Sequence, residues 1–187
     1  KHQNFLHKQI DKHRWSVLVC HRRFGKTVCM INHLIKSALM CKLKNPRFAY
    51  IAPTFKQAKS IAWDYMKQFT DKIPYIKFNE TELRVDLPNG ARITLLGAEN
   101  SDGLRGIYLD GCVIDEYANV HSKLFPEIIR PALSDRKGYC VFIGTPAGMN
   151  NNFYELYQHA NGADDWFNYK AKASDTKIVD EEELVKA

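Results

Sequence analysis

Two short stretches of this chain hold residue types that handle phosphate and its counter-ion: CHRRFGKT, residues 20–27, and CVIDEY, residues 112–117. In the first, Gly25, Lys26 and Thr27 form a Gly-Lys-Thr triplet. Lysine reaches the terminal phosphates of a nucleotide, and a threonine hydroxyl can ligate Mg2+. Cys20 stands where such a loop ordinarily opens with glycine, and Arg22, Arg23 and Phe24 fill the turn between. Glycine permits backbone angles that cysteine disfavours, so the first half of this loop is expected to be unusual. About ninety residues later, Asp115 and Glu116 end an apolar run. Asp115 is a candidate to hold Mg2+, directly or through water, and Glu116 to polarise an attacking water. Read singly, the triplet is also an ordinary helix start and the two acids a solvated turn. Together they describe a phosphate site.

Chemistry of this kind needs a strand before the loop, a helix after it, and acids at the C-terminal edge of a sheet. The apolar runs WSVLVC (15–20), RFAYIAP (47–53), GCVIDE (111–116) and YCVFIGTP (139–146) read as buried strands. Between the first two, Val28, Ile31, Leu34, Ile35, Ala38 and Leu39 recur at three and four, the stripe of a helix that opens at the triplet. A second stripe is expected from Phe55, Ala58, Ala62, Tyr65, Met66 and Phe69. Alternating strand and helix predicts an α/β fold, a mostly parallel sheet flanked by helices. Residues 81–97 break the rhythm: they alternate, turn at Asn89-Gly90 and alternate again, which predicts an added β-hairpin. A short helix near 150–160 and a late strand near 166–173 complete the pattern, and residues 173–187 lose core character.

The order CHRRFGKT, YIAPTFKQAK, DGLRG, CVIDEY and FIGTP resembles the ATPase domain of phage terminase large subunits, the motors that package viral DNA, from about Gln9 to Pro146. The resemblance implies a P-loop NTPase of RecA/ASCE-like fold. It implies ATP and Mg2+ as cofactors, and ATP hydrolysis that powers translocation of double-stranded viral DNA into a procapsid. In that family the loop often lacks its first glycine and carries an arginine three residues before the Gly-Lys pair, here Arg22. By the same resemblance Gln9 corresponds to the glutamine that reads the adenine edge. Arg105 corresponds to the arginine offered to a neighbouring subunit's nucleotide, which makes it catalytic with Arg22 and Glu116. Thr145 lies in the coupling motif and would sense the γ-phosphate. Arg23 and Phe24 are carried over only as members of the nucleotide loop. The implied partners are double-stranded DNA, portal protein, small terminase subunit and other copies in a ring, expected to be a pentamer. The implied setting is the host cytoplasm, away from any membrane.

On this reading residues 1–172 are the ATPase domain, and 173–187 begin a linker toward a C-terminal nuclease domain. The acidic run DEEEL is contiguous and helical in character, so its carboxylates do not converge on a metal, and no nuclease activity is expected from these residues. Two rival functions share the motifs: a helicase-like nucleic-acid-dependent ATPase and a nucleotide-binding scaffold without turnover.

Bulk composition is that of a globular domain, and its basic excess suits a polyanionic partner without proving one. The 27 Lys and Arg exceed the 21 Asp and Glu, for a net charge of +6. The first fourteen residues, with four Lys or Arg, one Asp and three His, read as a solvated basic end. Five scattered cysteines without a C-x-x-C pair read as reduced, buried thiols. The seven histidines show no zinc-ligand spacing.

Overall fold

The computed structural model describes residues 2–172. A helix α1 (His2–Ile10) leads into β1 (Trp15–Cys20), and α2 (Lys26–Met40) begins inside the Gly-Lys-Thr triplet. Next come β2 (Arg47–Ala52), α3 (Phe55–Ala58), a π turn (Lys59–Trp63) and α4 (Asp64–Thr70). The strands β3 (Lys77–Asn79), β4 (Arg84–Asp86), β5 (Arg92–Gly97) and β6 (Gly111–Ile114) precede a second π turn (Phe125–Ile129) and α5 (Arg130–Ser134). The described chain closes with β7 (Tyr139–Gly144), α6 (Asn152–Asn161) and β8 (Trp166–Ala171). The expected linker, residues 173–187, lies outside the described residues.

All eight strands join one sheet in the order β3-β4-β5-β2-β6-β7-β1-β8. From β5 to β8 every pairing is parallel, whereas β3 pairs with β4 and β4 with β5 antiparallel. The hairpin is therefore present, with Gly90 at φ 83° in its turn and Asn89 Nδ2 donating to Ala38 O at 2.9 Å. Its second strand, β5, joins the parallel run, and β3 adds a third strand at the edge.

Alternate residues of β1 serve opposite faces, as a pleated strand requires. Leu18 and Cys20 enter a core roofed by α1, α2, α3 and α4, whereas Val17 and Val19 enter the one roofed by α5 and α6. The N-terminal segment is not a solvated end. Its helix α1 buries Leu6 and Ile10, each contributing about 1.5–3 kcal/mol, which a nine-residue helix needs to persist in water.

The second helical stripe is also revised. Phe55 and Tyr65 are 39% and 40% exposed, while Ala58, Ala62, Trp63, Met66 and Thr70 are buried. The wide π turn rotates α4 relative to α3, so a strict 3.6-residue period misplaces the apolar face. Trp63 enters the core, and its Nε1 donates to Glu80 at 2.6 Å. Four of the five cysteines are buried, Cys41 is half-buried, and all five are free thiols.

Candidate nucleotide site

The C-terminal ends of β6, β7 and β1 open side by side on one edge, because β7 pairs with both neighbours. The loop after β1 makes its turn with Arg23 at φ 66° and Gly25 at φ 79°. The second is the position that needs glycine. Cys20 does not: it stays extended, in register with Ala171 of β8, so the missing leading glycine leaves the strand intact. Burial pushes the Cys20 thiol up to about 12, with nearby Lys26 opposing, so it is no nucleophile at neutral pH. Phe24 is buried against His21, 5.7 Å between ring centres, and so anchors the loop from below. Arg22 and Arg23 are exposed at its rim. No side chain caps the start of α2, whose first N–H groups and dipole suit an anion.

The acid pair follows β6 directly. The Asp115 N–H donates to Ile51 O at 2.8 Å, and its carboxylate is buried. Oδ1 accepts from the Glu116 N–H at 2.8 Å, and Oδ2 accepts from the Tyr50 hydroxyl. The Thr27 side chain lies near that same hydroxyl. Burial raises the Asp115 pKa, and the Tyr50 hydrogen bond works against this by favouring the carboxylate. Burial, reinforced by Asp115, drives the Tyr50 phenol well above its ordinary value, so it remains a donor.

Glu116 adopts a left-handed backbone, φ 45° and ψ 49°, a conformation that costs a non-glycine residue roughly 1 kcal/mol. Strain of this sort persists where surrounding bonds over-determine it. Here the turn swings the Glu116 carboxylate across the sheet edge. Its Oε1 sits 3.3 Å from Lys26 Nζ, and its Oε2 accepts from the Thr145 hydroxyl at 3.2 Å. Lys26, Thr27, Asp115, Glu116 and Thr145, from three neighbouring strand ends, thus converge. Their chemistry is that of a phosphate cation, hard oxygen ligands and a carboxylate able to hold water.

The profile of the family described as Terminase large subunit, T4likevirus-type, N-terminal, matches residues 19–186. The chain belongs to that terminase family. It is 30% identical to the terminase large subunit of Thermus phage G20c over 126 residues, covering 57% of this chain and 26% of the relative. The counterpart from Thermus virus P23-45 is 29% identical over the same length and coverage. The chain thus spans about a quarter of these curated relatives. Among solved structures, the Thermus phage P74-26 large terminase ATPase domain superposes with TM-score 0.79 at 21% identity, covering 96% of this chain and 85% of that one. The large terminase of a thermophilic bacteriophage, in complex with ATP-gamma-S, gives TM-score 0.78 at 15% identity, covering 100% and 48%. At such identities the likeness establishes the fold: a RecA-like P-loop domain with a mostly parallel, helix-flanked sheet.

Within this terminase domain, two of the residues carried over by resemblance stand apart from the cluster. Arg105 is exposed on the loop between β5 and β6, where its Nε pairs with Asp102 Oδ1 at 3.3 Å. Gly103 and Gly106 flank it, and Gly106 takes φ 80°. Gln9 sits near the C-terminal end of α1, whereas the glutamine beside the loop is Gln3. A Cβ at Gly25 would come within 3.1 Å of the Gln3 Nε2. Six residues on a helix separate these amides by about 9 Å along the axis and about 120° around it, so they face different surroundings. Sequence reasoning passed over Gln3, whose signal lay only in its distance from the triplet, and Tyr50, which reads as one more aromatic in a buried strand.

Proposed function

We propose that this domain is a Mg2+-dependent ATPase whose hydrolysis cycle powers the packaging of double-stranded viral DNA. The observation that carries the reading is the convergence of Lys26, Glu116 and Thr145 from three adjacent strand ends. Family membership supports it, as do the ADP and ATP-gamma-S complexes of the thermophilic bacteriophage terminase.

ATP would lay its phosphates on the backbone of Gly25–Thr27, with Lys26 against the β- and γ-phosphates. Thr27 and Asp115 would hold Mg2+, since a hydroxyl and a buried carboxylate fixed by the Tyr50 hydroxyl are the hard oxygen ligands that ion takes. When bound, the ion neutralises phosphate charge. Glu116 orients the water whose oxygen bonds to the γ-phosphorus as the bond to ADP breaks. Thr145, bonded to Glu116, reports that event to the loop beyond β7, which would shift a DNA grip. Arg22 acts on its own nucleotide and Arg105 on a neighbour's in a homo-oligomeric ring, a pentamer on the procapsid portal. Gln9 and Gln3 are alternative readers of the adenine edge, Arg23 supports the rim, and small terminase subunit and portal are the protein partners in the infected host cytoplasm.

Calorimetry with Lys26→Ala tests the reading. Loss of ATP binding and of phosphate release is expected, and wild-type ATP affinity in that variant would remove the loop from the site.

A further inference from the structure

Tyr50 comes from β2, a strand that carries neither the phosphate loop nor the acid pair. Its side chain is fully buried, yet it delivers one hydroxyl into the middle of the site. That hydroxyl donates to Asp115 Oδ2, with the Thr27 side chain close by. The next residue of β2, Ile51, accepts from the Asp115 N–H at 2.8 Å. One strand therefore grips Asp115 twice, by main chain and by side chain. Thr27 reaches the same point from α2, which follows β1, and β7 separates β1 from β6 in the sheet. The sheet ladder therefore does not set the spacing of Thr27 and Asp115 directly.

We infer that Tyr50 is a positioning residue for the metal-binding half of the site, fixing the Asp115 carboxylate beside Thr27 through a single hydroxyl. A carboxylate offers about four lone-pair sites. Tyr50 and the Glu116 N–H take one on each Asp115 oxygen, which orients the group and leaves lone pairs for a cation. Partners that orient a metal ligand in this way typically change metal affinity or activity by about 10–100-fold when removed. A phenol that only filled the core would be replaced by phenylalanine with no effect on metal binding.

The inference rests on the ATPase reading, and its test separates the two. Mn2+ binding to the ADP complex is followed by electron paramagnetic resonance in the wild type, Tyr50→Phe and Lys26→Ala. Tyr50→Phe should bind ADP in EDTA within about twofold of wild type, yet hold Mn2+ about 10–100-fold more weakly. Its turnover should recover toward wild type as Mg2+ is raised. Wild-type Mn2+ affinity in Tyr50→Phe, with ADP binding lost in Lys26→Ala, would overturn the role of Tyr50 and leave the ATPase reading standing. Unchanged ADP binding in Lys26→Ala would overturn both. If Tyr50→Phe fails to fold, the wild-type protein labelled at tyrosine 13Cζ decides. The Tyr50 resonance should move when Mg2+ is added to the ADP complex, and a stationary resonance overturns the inference.

Discussion

Lys26 Nζ lies 3.3 Å from Glu116 Oε1, so the cation of the phosphate loop is held by the acid assigned to water. Both side chains are partly shielded, 13% and 30% exposed, which keeps the pair from full solvent screening. On the proposed function an arriving triphosphate would compete for Lys26. Glu116 would then be released to water, with one oxygen still on Thr145. Binding and activation would share one switchable contact.

Glu116→Gln should separate binding from chemistry. The amide cannot take a proton or attract Lys26 as an anion does, so ATP affinity should match or exceed that of wild type. Hydrolysis should fall by about 10²–10⁴-fold. Paired calorimetry and phosphate-release measurements check this, and normal turnover would move the water-orienting role elsewhere.

Arg105 and Arg22 are assigned to different chains, and mixing experiments distinguish them. Arg105 is exposed on a loop with glycines on both sides, its side chain paired with Asp102 three residues earlier at 3.3 Å. An arginine supplied across an interface can contribute roughly 10³–10⁵-fold in turnover. Arg105→Ala should therefore bind ATP normally and be inactive in the assembled ring. Mixed rings of Arg105→Ala with Glu116→Gln should regain some activity, because at some interfaces each supplies what the other lacks. Mixed rings that form and stay inactive would make Arg22 the catalytic arginine.

The two glutamines of α1 make opposite predictions for base selectivity. Gln3 lies against Gly25, so Gln3→Ala should reduce discrimination between ATP and GTP, by about 10-fold if one well-placed hydrogen bond to the base is lost. Gln9→Ala should leave it unchanged. A competition assay with the two nucleotides reads both, and the reverse pattern would restore Gln9 to the adenine edge.

Acid should loosen the seat of α1. His33 is buried, stacked on His7 at 5.2 Å with the two Nδ1 atoms 3.0 Å apart. Asp11, Lys36, Cys29 and Tyr139 also face this pair. Burial, then His7, lowers the His33 pKa to about 4, and burial lowers that of His7 as well. A depressed histidine pKa means the unfolded chain binds more protons between the two values. Stability is therefore full above about pH 6.5 and falls as pH drops toward 4, by up to about 1.4 kcal/mol per pH unit for each proton. Thermal melts across that window check the slope, and His33→Gln should flatten it.

The strands β1, β2, β6 and β7 and the helix α2 were legible in the sequence, because continuous apolar runs and a three-to-four stripe are local signals. So were the glycine-dependent start of α2 and the turn at Asn89-Gly90, since both depend on backbone angles that few residue types adopt. The phosphate loop and the acid pair could be named as well, each being defined by what precedes it along the chain. Tertiary structure alone decided that β7 lies between β1 and β6, which brings Thr145 to Glu116 and Glu116 to Lys26. It alone rotated α4 through a π turn to bury Trp63, laid Gln3 on Gly25, and placed the Tyr50 hydroxyl between Thr27 and Asp115. These are contacts between residues distant in sequence, or a register shift within a helix, and the residue type at each position is compatible with several neighbours. Only sheet order and helix packing choose among them.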